Sequence, residues 1–282
     1  MRDLAKITTS LIIAALLALP TSWAASAKDD VRVAVIMGNG AYTHTAPLPN
    51  PPNDAREIAL ALQALGFQVH LLVDASKMDM QQLEANAERW FAGADVGLFF
   101  YAGHGLQING ENFIVPVDAT FANLDDISGE LTSLTATLHW MEEHTATNII
   151  FLDACRNNPL ADVIKSQVSA GRSMSLGSEE QVQYVGQGLA EMEASVGTLI
   201  AYATQPGNVA EDGQGSNSPF TTGILKFIHE PGMEIREILT SVRVSVLDET
   251  RKRQIPWDHS SLTEEFYFIA PVKPRDIPMP PP

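Results

Sequence analysis

Two hydrophobic periods alternate along this chain. Apolar runs at residues 31–37, 67–73, 96–101, 148–152 and 198–203 read as strands, and the all-apolar run 96–101 has the pattern of a central parallel strand. Between them apolar residues recur at helical spacing. Pro47 to Pro52 argue against helix, so Asn53 reads as the cap of a first helix with Ile58, Leu62 and Leu65 on one face and Gly66 as its stop. Met80, Leu83, Ala87 and Trp90 share a second helical face, and Leu134, Leu138 and Met141 a third within 133–144. Leu106-Gln107-Ile108 and Phe113-Ile114-Val115 flank Asn109-Gly110, a pair suited to a type I′ hairpin turn. Further helices are expected at 220–227 and 234–249, and a last strand at 265–269. The order predicts an α/β fold, a mostly parallel sheet with helices on both faces, with an active site beyond the carboxyl ends of its strands.

Two stretches break the periodicity. Residues 156–196 are polar, with Gly and Ser interspersed, and loops of that length inside a domain are functional or disordered. A second polar loop, 205–218, carries Pro206, Gly207, Gly213 and Gly215, and the Pro-rich stretch 271–282 reads as a disordered tail. The 282 residues suit one sizeable domain or two small ones, and the 45% hydrophobic content is that of a globular core.

Charge and the N-terminus narrow the function classes. Arg2 and Lys6 precede the apolar stretch 11–19, Pro20 and the small residues Ala25-Ser26-Ala27. That stretch is too short to span a bilayer, so residues 1–27 read as a secretory signal peptide, the alternative being an uncleaved anchor. The expected location is secreted or periplasmic. The net charge is −16, or about −17 without residues 1–27, which argues against nucleic acid or an anionic membrane as partner. The one cysteine, Cys155, allows no internal disulfide, and a lone thiol in an oxidising compartment is either reactive or deeply buried.

Candidate chemistry gathers at two strand ends. Cys155 follows the run 148–152 in Asp153-Ala154-Cys155-Arg156-Asn157, and 51 residues earlier His104 follows the run 96–101 in Ala102-Gly103-His104-Gly105. Such a pair supports thiol catalysis, in which imidazole takes the proton and the thiolate attacks a carbonyl carbon. The bland alternatives are an inert buried thiol and a satisfied core histidine, and both remain open at this point. Asp153 lies two residues before Cys155, so on a strand both address one side. A carboxylate on a pocket floor selects Arg or Lys by a charge-assisted contact; alternatively Asp153 caps a loop or pairs with Arg156. His44, His139, His144, His229 and His259 lack metal-ligand spacing, so no metal or cofactor is expected. Asp125-Asp126 is the one hint of calcium, and adjacent carboxylates are more often a solvated turn. Gly38-Asn39-Gly40 is too short for a nucleotide loop, and Trp257 is expected to pack near the cleft.

With these segments in view, the chain resembles bacterial caspase-like cysteine peptidases of the caspase/metacaspase superfamily. The resemblance rests on residues 33–42, on Leu48-Pro49-Asn50-Pro51-Pro52-Asn53-Asp54-Ala55, on Tyr101-Ala102-Gly103-His104-Gly105 and on Leu152-Asp153-Ala154-Cys155-Arg156-Asn157-Asn158-Pro159. Ala201-Tyr202-Ala203-Thr204, Asn217-Ser218-Pro219-Phe220-Thr221 and Pro256-Trp257-Asp258-His259-Ser260 resemble the smaller C-terminal part. It implies a caspase-like sandwich with a six-stranded sheet, a large-subunit part at about 31–160, a linker at about 161–196 and a small-subunit part at about 197–270. It makes His104 the base, Cys155 the nucleophile, and the backbone N–H groups of Gly105 and Cys155 the oxyanion hole. It suggests a peptide or protein substrate with Arg or Lys before the scissile bond, through Asp153. Residues 48–53 lack the arginine by which caspases proper choose aspartate, but the second pocket aspartate of metacaspases after the fifth strand is also missing. The linker suggests self-cleavage at Lys165 or Arg172, with an uncut loop as the alternative. The chain is expected to be a monomer or homodimer. A catalytically silent scaffold is the competing reading, and an amidotransferase or acyl hydrolase is disfavoured because the histidine precedes the cysteine.

Overall fold

The computed structural model describes residues 30–120, 128–154, 188–206, 208 and 210–271, with isolated pieces at 166, 175–176, 180–181 and 185–186. The segment 1–27, Asp125-Asp126, Cys155, Lys165, Arg172 and most of the Pro-rich tail lie outside the described residues. In chain order the strands are β1 (Arg32–Gly38), β2 (Gln68–Val73), β3 (Val96–Gly103), β4 (Gly105–Ile108), β5 (Glu111–Ile114), β6 (Thr132–Ser133), β7 (Thr147–Ala154), β8 (Ser175–Leu176), β9 (Glu180–Gln181), β10 (Val185–Gly186), β11 (Thr198–Tyr202) and β12 (Trp257–Ser260). The helices are α1 (Pro51–Ala64), α2 (Lys77–Phe91), α3 (Leu134–His144), α4 (Pro219–Phe227) and α5 (Ile235–Glu249).

Six strands form the main sheet in the order β12-β11-β7-β3-β1-β2. All neighbours run parallel except β12, which lies antiparallel on β11. Alternation along the strands divides the core into two layers. Ala34, Ile36, Leu98, Phe100, Ile149 and Phe151 pack against α1, α4 and α5 through Ile58, Leu62, Ile224, Ile238 and Val242. Val35, Met37, Phe99, Tyr101, Ile150 and Leu152 pack against α2 and α3 through Met80, Leu83, Leu138 and Met141. The result is the predicted α/β sandwich, with β3 and β7 at its centre because their residues are apolar on both faces. A second sheet, β10-β4-β5-β6, continues from the carboxyl end of β3, and the β4–β5 turn has Asn109 and Gly110 at φ 51° and 92°, as a type I′ turn demands.

Four expectations need correction. The first helix starts at Pro51, with Asn50 and not Asn53 at its N-cap position. The first-turn N–H groups of a helix need no intrahelical acceptor, so two prolines are accommodated there. The last strand is Trp257–Ser260 and not 265–269; of the latter, Tyr267 makes only an isolated bridge to Glu234. Trp257 on that edge strand is 43% exposed and does not serve as packing. The polar stretch expected to be all loop is also anchored in its C-terminal part: β10 pairs with β4, and Leu189 and Met192 are buried in the core.

Candidate active site

The sheet register brings the two predicted strand ends together. β3 and β7 are neighbours, with Ala102 opposite Asp153 and Gly103 opposite Ala154. The next residue on one side is His104 and on the other Cys155, the latter outside the described residues. Gly105 comes close to the end of β7, since a Cβ on it would sit 3.3 Å from the Ala154 Cβ.

His104 is the single residue between β3 and β4, and it is 1% exposed. Its ring Nε2 lies 2.9 Å from the Ala46 carbonyl oxygen. A carbonyl oxygen only accepts, so Nε2 carries the hydrogen. In the neutral ring Nδ1 then holds the lone pair, which makes Nδ1 the basic atom. The loop after β1 that supplies Ala46 is itself pinned: Gly40 and Ala41 N–H groups donate to the Asp74 carboxylate at 2.8 Å each, and Asn39 Nδ2 donates to the Val115 carbonyl at 3.0 Å.

Asp153 is the penultimate residue of β7 and is fully buried on the face shared with Ile149 and Phe151. It does not stand at the surface, and Arg156, its other expected partner, lies outside the described residues. Its Oδ2 accepts hydrogen bonds from the Ser218 hydroxyl and, at 3.1 Å, from Thr221 Oγ1. Ser218 is the N-cap of α4, and its Oγ also accepts from the Thr221 N–H at 3.0 Å. The Ser218 N–H donates to Asp54 Oδ1 at 3.0 Å, and Asp54 too is fully buried. One serine therefore ties two buried carboxylates, one from α1 and one from β7. The β11–α4 loop that delivers it is held by Asn50 Nδ2 on the Asp212 carbonyl, by Gln254 between the Glu211 N–H and the Ala203 carbonyl, and by a two-pronged Arg253–Glu211 ion pair at 2.6 and 2.9 Å. Arg253, hydrogen-bonded to Glu211, holds that carboxyl below its ordinary range against the opposing effect of desolvation.

Of the residues singled out in the sequence, the structure thus unites His104, Gly105 and Asp153 at the carboxyl ends of β3 and β7. Asp54, Ser218 and Thr221 were missed as site residues, as was Tyr42. Asp54 and Ser218 fall inside quoted motifs, and Ser218-Pro219 is a readable N-cap followed by Pro at the first helical position. Nothing in the local sequence shows that α1 and α4 bring their carboxylate and hydroxyl to one point. Among the described residues no group of three or more His, Cys, Asp or Glu side chains is arranged to hold a metal.

Comparison with known proteins identifies the family and the fold. Human mucosa-associated lymphoid tissue lymphoma translocation protein 1 is 28% identical over 170 residues, which cover 57% of this chain and 20% of that protein. The mouse homologue gives the same figures, so the chain spans only a fifth of the length of these relatives. Chicken caspase-7 is 27% identical over 228 residues, 76% of this chain and 69% of that one. In fold, the chain matches the crystal structure of caspase-1 from Spodoptera frugiperda with a TM-score of 0.58 at 17% identity, over 86% of this chain and 91% of that one. The caspase domain profile matches residues 31–267, from the start of β1 past β12, and the chain belongs to the caspase domain family of cysteine-type peptidases.

Proposed function

We propose that this chain is an endopeptidase that uses His104 and Cys155 and cleaves after Arg or Lys. The observation that carries the catalytic part is the β3–β7 register, with the Nε2 of His104 committed to the Ala46 carbonyl. Nδ1 takes the Cys155 proton, and the thiolate attacks the scissile carbonyl carbon. The oxygen gains negative charge beside the N–H groups of Gly105 and Cys155. The proton on His104 passes to the leaving amine as the C–N bond breaks, and water then hydrolyses the thioester.

The preference for a basic residue rests on Asp153. The hydroxyls of Ser218 and Thr221 are neutral donors, so they orient the carboxylate without cancelling its charge. A fixed negative charge in a buried site attracts a guanidinium or ammonium far more strongly than one in water. Asp54, on the other side of Ser218, adds a second carboxylate to the same region. No arginine occupies residues 48–53, so nothing there favours an acidic substrate side chain.

The test is turnover of fluorogenic peptides that differ only in the residue before the scissile bond, with Cys155→Ala and Asp153→Asn alongside. Cleavage after Arg and Lys is expected, abolished by the first substitution and selectively weakened by the second. Failure to cleave any peptide sinks the enzymatic reading and leaves a scaffold protein; cleavage without basic preference sinks the assignment of Asp153.

A further inference from the structure

Both backbone groups of His104 are held by phenols. Its N–H donates to Tyr42 Oη at 2.7 Å, and its carbonyl accepts from Tyr101 Oη at 2.8 Å and from the Val115 N–H at 3.1 Å. The two phenol oxygens are 3.3 Å apart. Tyr101 directs its one hydroxyl proton to the His104 carbonyl, so the proton between the phenols comes from Tyr42. A closed circuit results, from the His104 N–H to Tyr42, from Tyr42 to Tyr101, and from Tyr101 back to the His104 carbonyl. Both tyrosines are buried, and the Tyr42 ring lies against the imidazole with centroids 4.5 Å apart and a 44° tilt. Gly103 completes the fit: its φ is +153°, and a Cβ there would lie 2.5 Å from Tyr101 Oη and 2.8 Å from Tyr42 Oη.

We infer that Tyr42 and Tyr101 are positioning residues with separate tasks, an inference that rests on the proposed His104/Cys155 chemistry. The N–H of Gly105 shares a rigid peptide plane with the His104 carbonyl and points the opposite way. Tyr101 and Val115, by fixing the carbonyl, therefore aim the Gly105 N–H at the site where an oxyanion forms. Tyr42 acts on the base: it fixes the His104 N–H, packs on the ring, and sits on the same loop as the Ala46 carbonyl that sets the tautomer. One phenol serves proton transfer and the other the developing charge.

The single cysteine makes the two tasks separable. Alkylation of Cys155 by iodoacetamide needs the base and no oxyanion hole, whereas peptide turnover needs both. In Tyr42→Phe, alkylation rate and kcat are both expected to fall about 10-fold, the effect of a slightly displaced base. In Tyr101→Phe, kcat is expected to fall about 10-fold, less than the loss of a whole oxyanion-hole donor, with KM and alkylation rate unchanged. Equal kcat and alkylation in wild type and both variants overturn the inference, and so does a lowered melting temperature with unchanged kcat. If wild-type Cys155 alkylates no faster than N-acetylcysteine and His104→Ala does not slow it, the proposed chemistry itself fails, which is a distinguishable result. The variants are read separately, so one that does not fold leaves the other to decide.

Discussion

The base side and the pocket side of this site are built over different distances and from different forces. His104 is held by Tyr42, Ala46, Tyr101 and Val115, all in the first half of the chain, through neutral amide, carbonyl and phenol groups. The pocket side is ionic and long-range: Ser218 stands 65 residues from Asp153 and 164 from Asp54, and an ion pair 42 residues apart in sequence steadies its loop. Neutral dipoles fix geometry without adding net charge, which suits a base that must change its own charge. Fixed carboxylates add net negative charge, which suits the proposed recognition of a cation. The two sides should therefore fail separately, one in rate and the other in choice of substrate.

The most severe break is His104→Ala, which is expected to cut kcat/KM for every peptide by about 10³-fold, as steady-state turnover will report. Next is Asp153→Asn, with a loss of about 100-fold on Arg and Lys peptides, the worth of one charge-assisted contact, carried by KM and absent for peptides with a neutral residue at that position. A smaller and pH-dependent effect belongs to Glu211. Its carboxyl is held below the ordinary value of 4.5 by Arg253, so the folded state binds fewer protons than the unfolded one. The stabilisation is present above 4.5 and is lost as pH falls through the folded value. Thermal melts above and below pH 4.5 should show this loss in the wild type and a smaller one in Arg253→Gln. The least effect on the site is expected from Ser76→Ala. Ser76 and Asp79 bond to each other in the capping box of α2, two residues past the Asp74 that holds the Gly40–Ala41 loop, so stability should fall by about 1 kcal/mol with kcat and KM unchanged.

The same contrast decides how much could be read in the sequence. Strands β1, β3, β7 and β11 were legible because parallel strands buried on both faces are apolar without alternation. His104 was legible because Gly-His-Gly at the end of such a run has little structural reason to exist. Asp54 was not, because the first turn of a helix favours a carboxylate on dipole grounds alone, and its meeting with Ser218 depends on packing between α1 and α4. β12 was misplaced because Trp257-Asp258-His259-Ser260 lacks an apolar run, and an edge strand needs none. The tyrosines were hidden by their own hydrophobicity: Tyr101 reads as one more core residue of β3 until its hydroxyl is traced.

Ser218 joins the helix start and the proposed pocket floor in a single atom, since its Oγ accepts from the Thr221 N–H while giving its proton to Asp153. Under the proposed preference for a basic residue, the first turn of α4 becomes a built-in gauge of occupancy: a basic side chain that draws on Asp153 would pull on the same oxygen that protects the Thr221 amide, so hydrogen–deuterium exchange at that amide is expected to follow ligand binding without any label in the site.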